Sequence, residues 1–473
     1  MRLKRLYLDN KKIIFLLGLF SLVYAIFLII FNQLGDVWWD SASYIGMGKY
    51  IFSGGETGMF EPMKSVFLPF LLGGFWWLGF DIILSGKLLV FCSSIVSLIF
   101  VYLITREFFN ERTALLSVVI LAFNSLFFIF TFRIYTEIFS VCFILGSLFF
   151  SMRYYKTNKI SFLILISLFS ALAFLSKYQN LIFLLVINLF FVFYIKDEKF
   201  KKLILLNLFF FIFLSPFFIL NCYYYGNPVY LVNLAQSYFK ENIGNLYNLR
   251  AYPGIPPTLF KTTDLIYFKT IFYLFNFLIP LFLMGFYKLC FDRNKKKFFL
   301  IALPFLLFFA FLEIFYLKQD RYILLAFPFI SIISAYGISK IKNKKFLTVL
   351  LSLYFVISGV FSGIVLHNSS SERDYTAFFT DSKEIYCESS STSDPRVVLN
   401  PDVQKVIFPY EVFDNNWSLD RRGVMIAKEN PNCIFYFSCS EFKDGQIKEI
   451  EGLGYRLRVT KDTGRCKYAI FTK

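Results

Sequence analysis

The chain has 473 residues, of which 57% are hydrophobic and 21% aromatic, while only 17% are charged. A soluble domain carries about 25% charge, and a chain this apolar would expose large greasy patches to water, which excludes an ordinary soluble protein. The formal charge of +17 is unevenly placed: residues 367–473 carry 15 Lys and Arg against 16 Asp and Glu, a net of −1, so the remaining 34 against 16 hold the whole basic excess at +18. Those cations come in short clusters between apolar runs, the pattern of cytoplasmic loops, and this argues against nucleic acid as a partner.

Residues 1–12 are basic and run into a long apolar stretch with no small-residue cleavage site, which predicts a retained first helix and not a signal peptide. A spanning helix needs about 20 apolar residues. Such segments lie near 13–32, 82–105, 113–129, 134–152, 160–176, 178–195, 203–221, 270–290, 298–316, 322–340 and 346–366, eleven in all. Basic clusters stand at Arg2/Lys4/Arg5/Lys11/Lys12, Arg106/Arg112, Arg153/Lys156/Lys159, Lys196/Lys199/Lys201/Lys202, Lys288/Arg293/Lys295–Lys297 and Lys340/Lys342/Lys344/Lys345. Eleven crossings put every cluster on the cytoplasmic side and the C-terminal tail outside, as expected for a multi-pass protein of the cell membrane. Residues 65–80 are also apolar, but a crossing there would turn all later clusters outward. Trp76 and Trp77 suit the headgroup region, and Gly73, Gly74 and Gly79 weaken a straight helix, so this segment is predicted to lie in the interface or to re-enter.

Between the first span and the second lies an outer loop, 33–81, that carries Asp36 and Asp40 beside interfacial tryptophans. Tyr44, Met47, Lys49 and Tyr50 continue it as an amphipathic stretch that ends at Gly54-Gly55. Either acid is a solvated loop residue or a general base at the membrane surface. Arg133 and Glu137 open the fourth span four residues apart, a spacing that puts them on one helix face. They read as a structural ion pair, or as an Arg that grips phosphate with Glu137 holding it, a task suited to the planar guanidinium fork. Ser176-Lys177-Tyr178-Gln179-Asn180 is a polar break between spans five and six, and Lys318-Gln-Asp-Arg321-Tyr322 is a short charged outer connector between spans nine and ten. Each is compatible with a plain turn. The longest outer loop, about 222–269, is long enough to cover a site as a lid.

From about His367 the composition shifts to Ser, charge and short β-rich runs at 396–400, 405–409, 423–427, 433–438, 455–460 and 467–472, with 444–451 as a helix. This predicts a small α/β domain over 367–473, outside the membrane domain of 1–366. Four cysteines, Cys387, Cys433, Cys439 and Cys466, lie in it, an even count compatible with two disulfides in an oxidising compartment. Asn368-Ser-Ser and Asn416-Trp-Ser are compatible with the same location.

Acids from the first outer loop and cations from three later ones thus gather on one face. That suits a lipid-linked phosphate leaving group and an acceptor that loses a proton. A polytopic transporter or lipid flippase is the alternative, although the hydropathy shows no internal repeat of the kind such proteins often carry. A non-catalytic membrane assembly protein is the other.

The ordered elements resemble the glycosyltransferase C superfamily, on the branch of protein O-mannosyltransferases and the bacterial lipid A aminoarabinose transferase. They are Asp40 with Tyr44 and Gly54-Gly55, then Pro62–Gly79, Tyr102-Leu-Ile-Thr-Arg106, Arg133-Ile-Tyr-Thr-Glu137, Ala171-Leu-Ala-Phe-Leu-Ser-Lys177-Tyr and Arg321-Tyr-Ile-Leu-Leu-Ala-Phe-Pro328. The resemblance implies an inverting transferase that moves one sugar from a polyprenyl-phosphate donor to a glycan, lipid or protein acceptor. Asp40 would be the base, Arg133, Lys177 and Arg321 the donor-phosphate ligands, and Glu137, Asp36, Lys318 and Tyr44 their support. Mannosyltransferase relatives carry Asp-Glu where this chain has Asp40-Ser41, and often a basic residue or His before paired prolines where this chain has Phe60-Glu61-Pro62-Met63. One acid at that spot argues against a divalent metal without removing it, since a hard cation wants several oxygens; no other cofactor is implied.

Overall fold

The computed structural model describes residues 2–61, 64–233, 271, 274–275, 278–314, 320–341, 343–368, 387–392, 403–407, 433–438, 448, 450–462 and 467–472. By their contacts these fall into two units, one drawn from Met1–Gln33, Leu88–Arg250 and Pro256–His367, the other from Leu34–Lys87 and Asn368–Lys473.

The first unit is helical. Its elements are α1 (Arg2–Ile30), most of α4 (Ile82–Phe108), α5 (Glu111–Ala122), α6 (Ser125–Phe130), α7 (Thr136–Thr157), α8 (Ile160–Ser176), α9 (Leu181–Tyr194) and α10 (Lys199–Tyr225). After them come α11 (Ile279–Cys290), α12 (Leu303–Ile314), α13 (Phe327–Ile338) and α14 (Lys344–Asn368). All eleven apolar segments expected to cross the membrane contain helix. Among the described residues six helices are long and apolar enough to cross on their own: Lys11–Ile30, Ile82–Phe108, Thr136–Thr157, Lys199–Tyr225, Arg321–Ile338 and Lys345–His367. The protein is therefore a polytopic α-helical membrane protein. α13 is apolar all round and buried over its whole central length, as a helix at the middle of a bundle must be. α1, α10 and α14 instead turn Phe15, Ile29, Phe200, Ile204, Ile219, Val349 and Val360 outward, where lipid covers them.

Two departures from the expected spans have local causes. The segment 113–129 is two helices and not one. Asn124, fully buried, accepts the amide N–H groups of Leu126 and Phe127 and so starts α6 afresh. Its amide also donates to Tyr354 Oη at 3.4 Å, and that hydroxyl donates to the Ile120 carbonyl at 3.0 Å, which spends the polar groups exposed by the break. The segment 298–316 begins as a π-helical turn, Phe298–Ala302, before α12.

The second unit holds α2 (Trp39–Phe52), α3 (Phe67–Trp77) and a five-stranded sheet. At about 1.5 Å per residue, α3 is roughly 16 Å long, half the thickness of a hydrocarbon core. Gly73 and Gly74 lie inside α3, near its end at Trp77, and Gly79, at φ +85°, is where the chain turns away. Gly48 and Gly73 serve a close crossing. A Cβ on Gly48 would stand 2.8 Å from the Gly73 nitrogen and 2.8 Å from the Pro69 carbonyl oxygen, and one on Gly73 would meet the Gly48 carbonyl. Gly73→Ala is expected to push α2 and α3 apart and lower stability by about 1–3 kcal/mol, read as a fall in the thermal midpoint; an unchanged midpoint would mean the crossing has slack.

The stretch expected to be amphipathic is not. Ser41 through Gly48 are all buried, because α2 is packed on every side and not only against one face.

The sheet runs in the order β2 (Val403–Ile407), β1 (Cys387–Thr392), β3 (Cys433–Ser438), β5 (Lys467–Thr472), β4 (Arg456–Asp462). β1 pairs in parallel with β2 and β3, while β5 pairs antiparallel with β3 and β4, one register shift falling between Leu457 and Val459. β1 was not expected as a strand: Cys-Glu-Ser-Ser-Ser-Thr has little β propensity, and it is held by neighbours on both sides. Lys448, Ile450 and Glu451 are helical, as expected. The runs at 396–400 and 423–427 lie outside the described residues, as does most of the loop 222–269. Cys433 is disulfide-bonded.

Candidate active site

In the helical unit, breaks after α8 and before α13 bring Lys177 and Arg321 to Glu137 at the start of α7, and the break after α6 holds Arg133. After α6 the chain makes a non-helical turn through Arg133 to Tyr135, and Tyr135, extended at φ −124° and ψ 154°, caps α7. Arg133 therefore precedes the helix, and the four-residue spacing does not put it on a helix face with Glu137. Its guanidinium carbon stands 4.9 Å from the centre of the Phe130 ring, and the residue is almost wholly buried. Glu137 sits in the first turn of α7, where a carboxylate is favoured by the positive end of the helix dipole.

Lys177 ends α8 in an extended conformation, φ −163° and ψ 115°, so its side chain leaves the helix axis. The turn behind it is tied by the Asn180 side chain, which donates to the Ala173 carbonyl at 2.7 Å. Arg321 and Tyr322 lie in a 3-10 turn, Asp320–Ala326, that leads into α13.

Glu137 is the hub. Lys177 Nζ donates to Glu137 Oε1 at 2.8 Å, and Arg321 Nε stands 3.7 Å from the same oxygen, with the Glu137 side chain only 3% exposed. The rings of Tyr135 and Tyr322 complete the cluster: Arg321 lies 5.1 Å and 5.4 Å from their centres, and Lys177 lies 4.5 Å from that of Tyr322. Two cations thus share one carboxylate in a place with little water. The ammonium, the guanidinium fork and the aromatic walls suit an anion of phosphate type.

In the second unit, Asp40 stands in the first turn of α2, and Lys64 Nζ donates to its Oδ1 at 2.8 Å. The same ammonium is 2.9 Å from Glu61 and 5.3 Å from the centre of the Tyr44 ring. Burial pushes the Lys64 pKa down, but Glu61 and Asp40 more than reverse this and hold it above the usual Lys range. One ammonium is therefore shared by the two carboxylates. Asp36 is buried; its carboxylate accepts from Trp38 Nε1 at 3.0 Å, and its carbonyl accepts from Lys87 Nζ at 2.8 Å. It is a positioning residue at the base of α2 and not a solvated acid.

Lys64→Met would leave Asp40 and Glu61 side by side with no cation. It is expected to cost about 3–5 kcal/mol at neutral pH. Because the folded pKa of Lys64 is raised, the wild-type contribution is fully present below the unfolded value of about 10.4 and fades only as pH climbs past the folded value. In the variant, stability should instead recover on acidification, as the carboxylates protonate. Thermal midpoints at pH 5 and pH 8 check this; an equal deficit at both would sink the ammonium's role.

Lys64, Lys87 and Tyr135 were not singled out from the sequence, and Glu61 and Tyr322 were named in it only as parts of longer motifs, with no role. One signal was present: Lys64 and Lys87, like Lys177 and Arg321, stand outside the basic clusters assigned to the cytoplasm, and isolated cations on the other side need a reason. Lys318 lies outside the described residues.

Residues 64–220 match the family model for dolichyl-phosphate-mannose-protein mannosyltransferases. No curated protein matches the sequence. Among solved structures, the fold is similar to ArnT from Cupriavidus metallidurans bound to undecaprenyl phosphate, with 12% identity, a TM-score of 0.65 and coverage of 96% of this chain and 97% of that one. It is also similar to the oligosaccharyltransferase AglB from Archaeoglobus fulgidus in complex with an inhibitory peptide and a dolichol-phosphate, with 12% identity, a TM-score of 0.53 and coverage of 88% and 69%. The chain has the glycosyltransferase C fold, and its residues 64–220 carry the sequence pattern of the dolichyl-phosphate-mannose-protein mannosyltransferases.

Proposed function

We propose that this protein is an inverting membrane glycosyltransferase that moves a single sugar from a polyprenyl-phosphate donor to an acceptor on the extracytoplasmic side. The observation that carries the reading is the shared carboxylate: Lys177 and Arg321 converge on Glu137 in a nearly dry cluster walled by two tyrosines. An ammonium, a guanidinium fork and two aromatic rings around one carboxylate are the kind of groups that a phosphate would use. The ligands of the similar structures, undecaprenyl phosphate and dolichol-phosphate, are of that chemistry.

In the reaction, the acceptor hydroxyl oxygen forms a bond to the anomeric carbon from the face opposite the phosphate. The bond from that carbon to the phosphate oxygen breaks, and its electron pair leaves with the polyprenyl phosphate. Arg133, Lys177 and Arg321 hold the departing phosphate, and their charge lowers the barrier because charge on it grows as the bond breaks. Asp40 takes the acceptor proton. Lys64 stays protonated beside it and keeps the paired carboxylates from repelling each other. Tyr44 packs on that ammonium, and Asp36 anchors the start of α2.

An extracytoplasmic tail and a cytoplasmic N-terminus are part of the proposal. The Lys and Arg clusters support it, and so does the disulfide at Cys433, since such bonds persist in oxidising compartments.

The test is incubation of the purified protein with a panel of polyprenyl-phosphate sugars and a membrane extract as acceptor source. One donor should be consumed, with free polyprenyl phosphate released and the new glycosidic bond inverted. Full retention of every donor by intact protein would overturn the reading in favour of transport or assembly.

A further inference from the structure

A cavity of about 770 Å³ is lined by residues 11–16 of α1 and by the first turns of α5. Among the described lining residues, its mouth carries Lys11, Lys12 and Arg112 against one acid, Glu111. Its walls are apolar and belong to the same two helices, with Phe15 and Leu16 on α1 and Leu115, Leu116 and Val119 on α5. Lys12 pairs with Glu111 at 3.1 Å, but both side chains are well exposed, so that pair is held loosely.

We propose that this groove binds one anionic glycerophospholipid, its phosphate at the basic mouth and the upper part of an acyl chain along the apolar wall. Charge decides the headgroup: three cations against one acid leave the mouth at a formal +2, which a zwitterionic lipid does not answer. The walls decide that the anion is a lipid: a free phosphate would satisfy the cations and leave the apolar surface bare. The volume lies within the range of about 300–1,000 Å³ that pockets for molecules of this size occupy. Position agrees. Lys11 is where the apolar stretch Lys11–Ile30 begins, so the mouth sits at headgroup level and the wall runs into the bilayer. The same N-terminal segment also carries Arg2, Lys4 and Arg5 in sequence, which draws anionic lipid to this end of the helix. A polyprenyl phosphate has the same phosphate chemistry. The glycerophospholipid is favoured because the groove belongs to the ends of α1 and α5 that carry the cytoplasmic clusters, whereas the cations proposed for the donor follow α6, α8 and the loop before α13.

The test uses the full-length protein in detergent, loaded in turn with phosphatidylglycerol, phosphatidylcholine and undecaprenyl phosphate, and read by native mass spectrometry and thermal midpoint. One phosphatidylglycerol should be retained about tenfold or more over phosphatidylcholine, and undecaprenyl phosphate should not displace it. Each neutralised cation should weaken retention about fivefold, so Lys11→Gln with Lys12→Gln and Arg112→Gln should bring phosphatidylglycerol down to the phosphatidylcholine level. The charge-keeping set Lys11→Arg, Lys12→Arg and Arg112→Lys should retain it. Val119→Trp, which fills the wall and leaves the charges, should reduce retention as well and serves if the triple variant folds poorly. Equal retention of the two glycerophospholipids, undiminished retention by both the neutral set and Val119→Trp, or displacement by undecaprenyl phosphate would overturn the proposal.

Discussion

Asp40→Asn is expected to lower sugar transfer by about 10²–10⁴-fold, the usual contribution of a positioned general base, while leaving the fold in place. The substitution keeps the shape of the side chain and an oxygen that accepts from Lys64, but it removes the site where the acceptor proton would go. Folding should survive because Lys64 keeps a counter-ion in Glu61, 2.9 Å away. The measurement is kcat/KM for the donor identified from the panel, with donor affinity and thermal midpoint read on the same preparation. Affinity should stay near the wild-type value, since Asp40 acts on the acceptor. Asp36→Asn is the comparison. Asp36 is spent on Trp38 and touches neither reactant in this scheme, so its loss should be felt mainly in stability. Normal transfer by Asp40→Asn would take the base away from this residue.

The second large effect concerns the carboxylate shared by two cations. Glu137→Gln removes the carboxylate that Lys177 and Arg321 share, and stability should fall by about 3–5 kcal/mol, the cost of breaking a buried pair. A phosphate that binds these cations would then replace the missing carboxylate. Added undecaprenyl phosphate should therefore raise the thermal midpoint of Glu137→Gln by more than it raises that of the wild type, because a ligand that binds only the folded state stabilises in proportion to its affinity. Arg321→Ala predicts the opposite pattern. Glu137 keeps Lys177 at 2.8 Å, so the fold holds. One charge-assisted grip on phosphate is lost, about 1.5–3 kcal/mol, which is roughly 10- to 150-fold in donor affinity. Equal midpoint shifts on adding undecaprenyl phosphate to the wild type and both variants would return the cluster to a purely structural role.

Much of this architecture is written in composition alone. A bilayer accepts only segments whose backbone is satisfied internally, so long apolar runs had to become helices, and the runs at 13–32, 82–105 and 346–366 did so with few surprises. At 65–80 the charge pattern of the later loops argues against a crossing, and the helix there, α3, covers only Phe67–Trp77. The site was legible only in part. Asp40, Glu137, Lys177 and Arg321 stood out as charges in expensive places, yet their partners did not. Lys64 lies 24 residues from Asp40, and Lys177 lies 40 residues from Glu137. No local pattern announces pairings over such separations. Where a local pattern was available it misled: four residues between Arg133 and Glu137 suggested one helix face, but α7 begins at Thr136, so Arg133 belongs to the turn before it.

What the sequence determined by itself was the medium and the material: a lipid-covered helical bundle, a polar tail, and acids and cations that stand apart in the chain from the basic clusters. These follow from transfer energies, which add up residue by residue along a chain. What only the tertiary structure decided was who neutralises whom. Asp40 and Glu61 share Lys64, and Lys177 and Arg321 share Glu137, because helix ends and glycine crossings far apart in sequence bring those groups within 4 Å, the range where charges in a dry interior dominate.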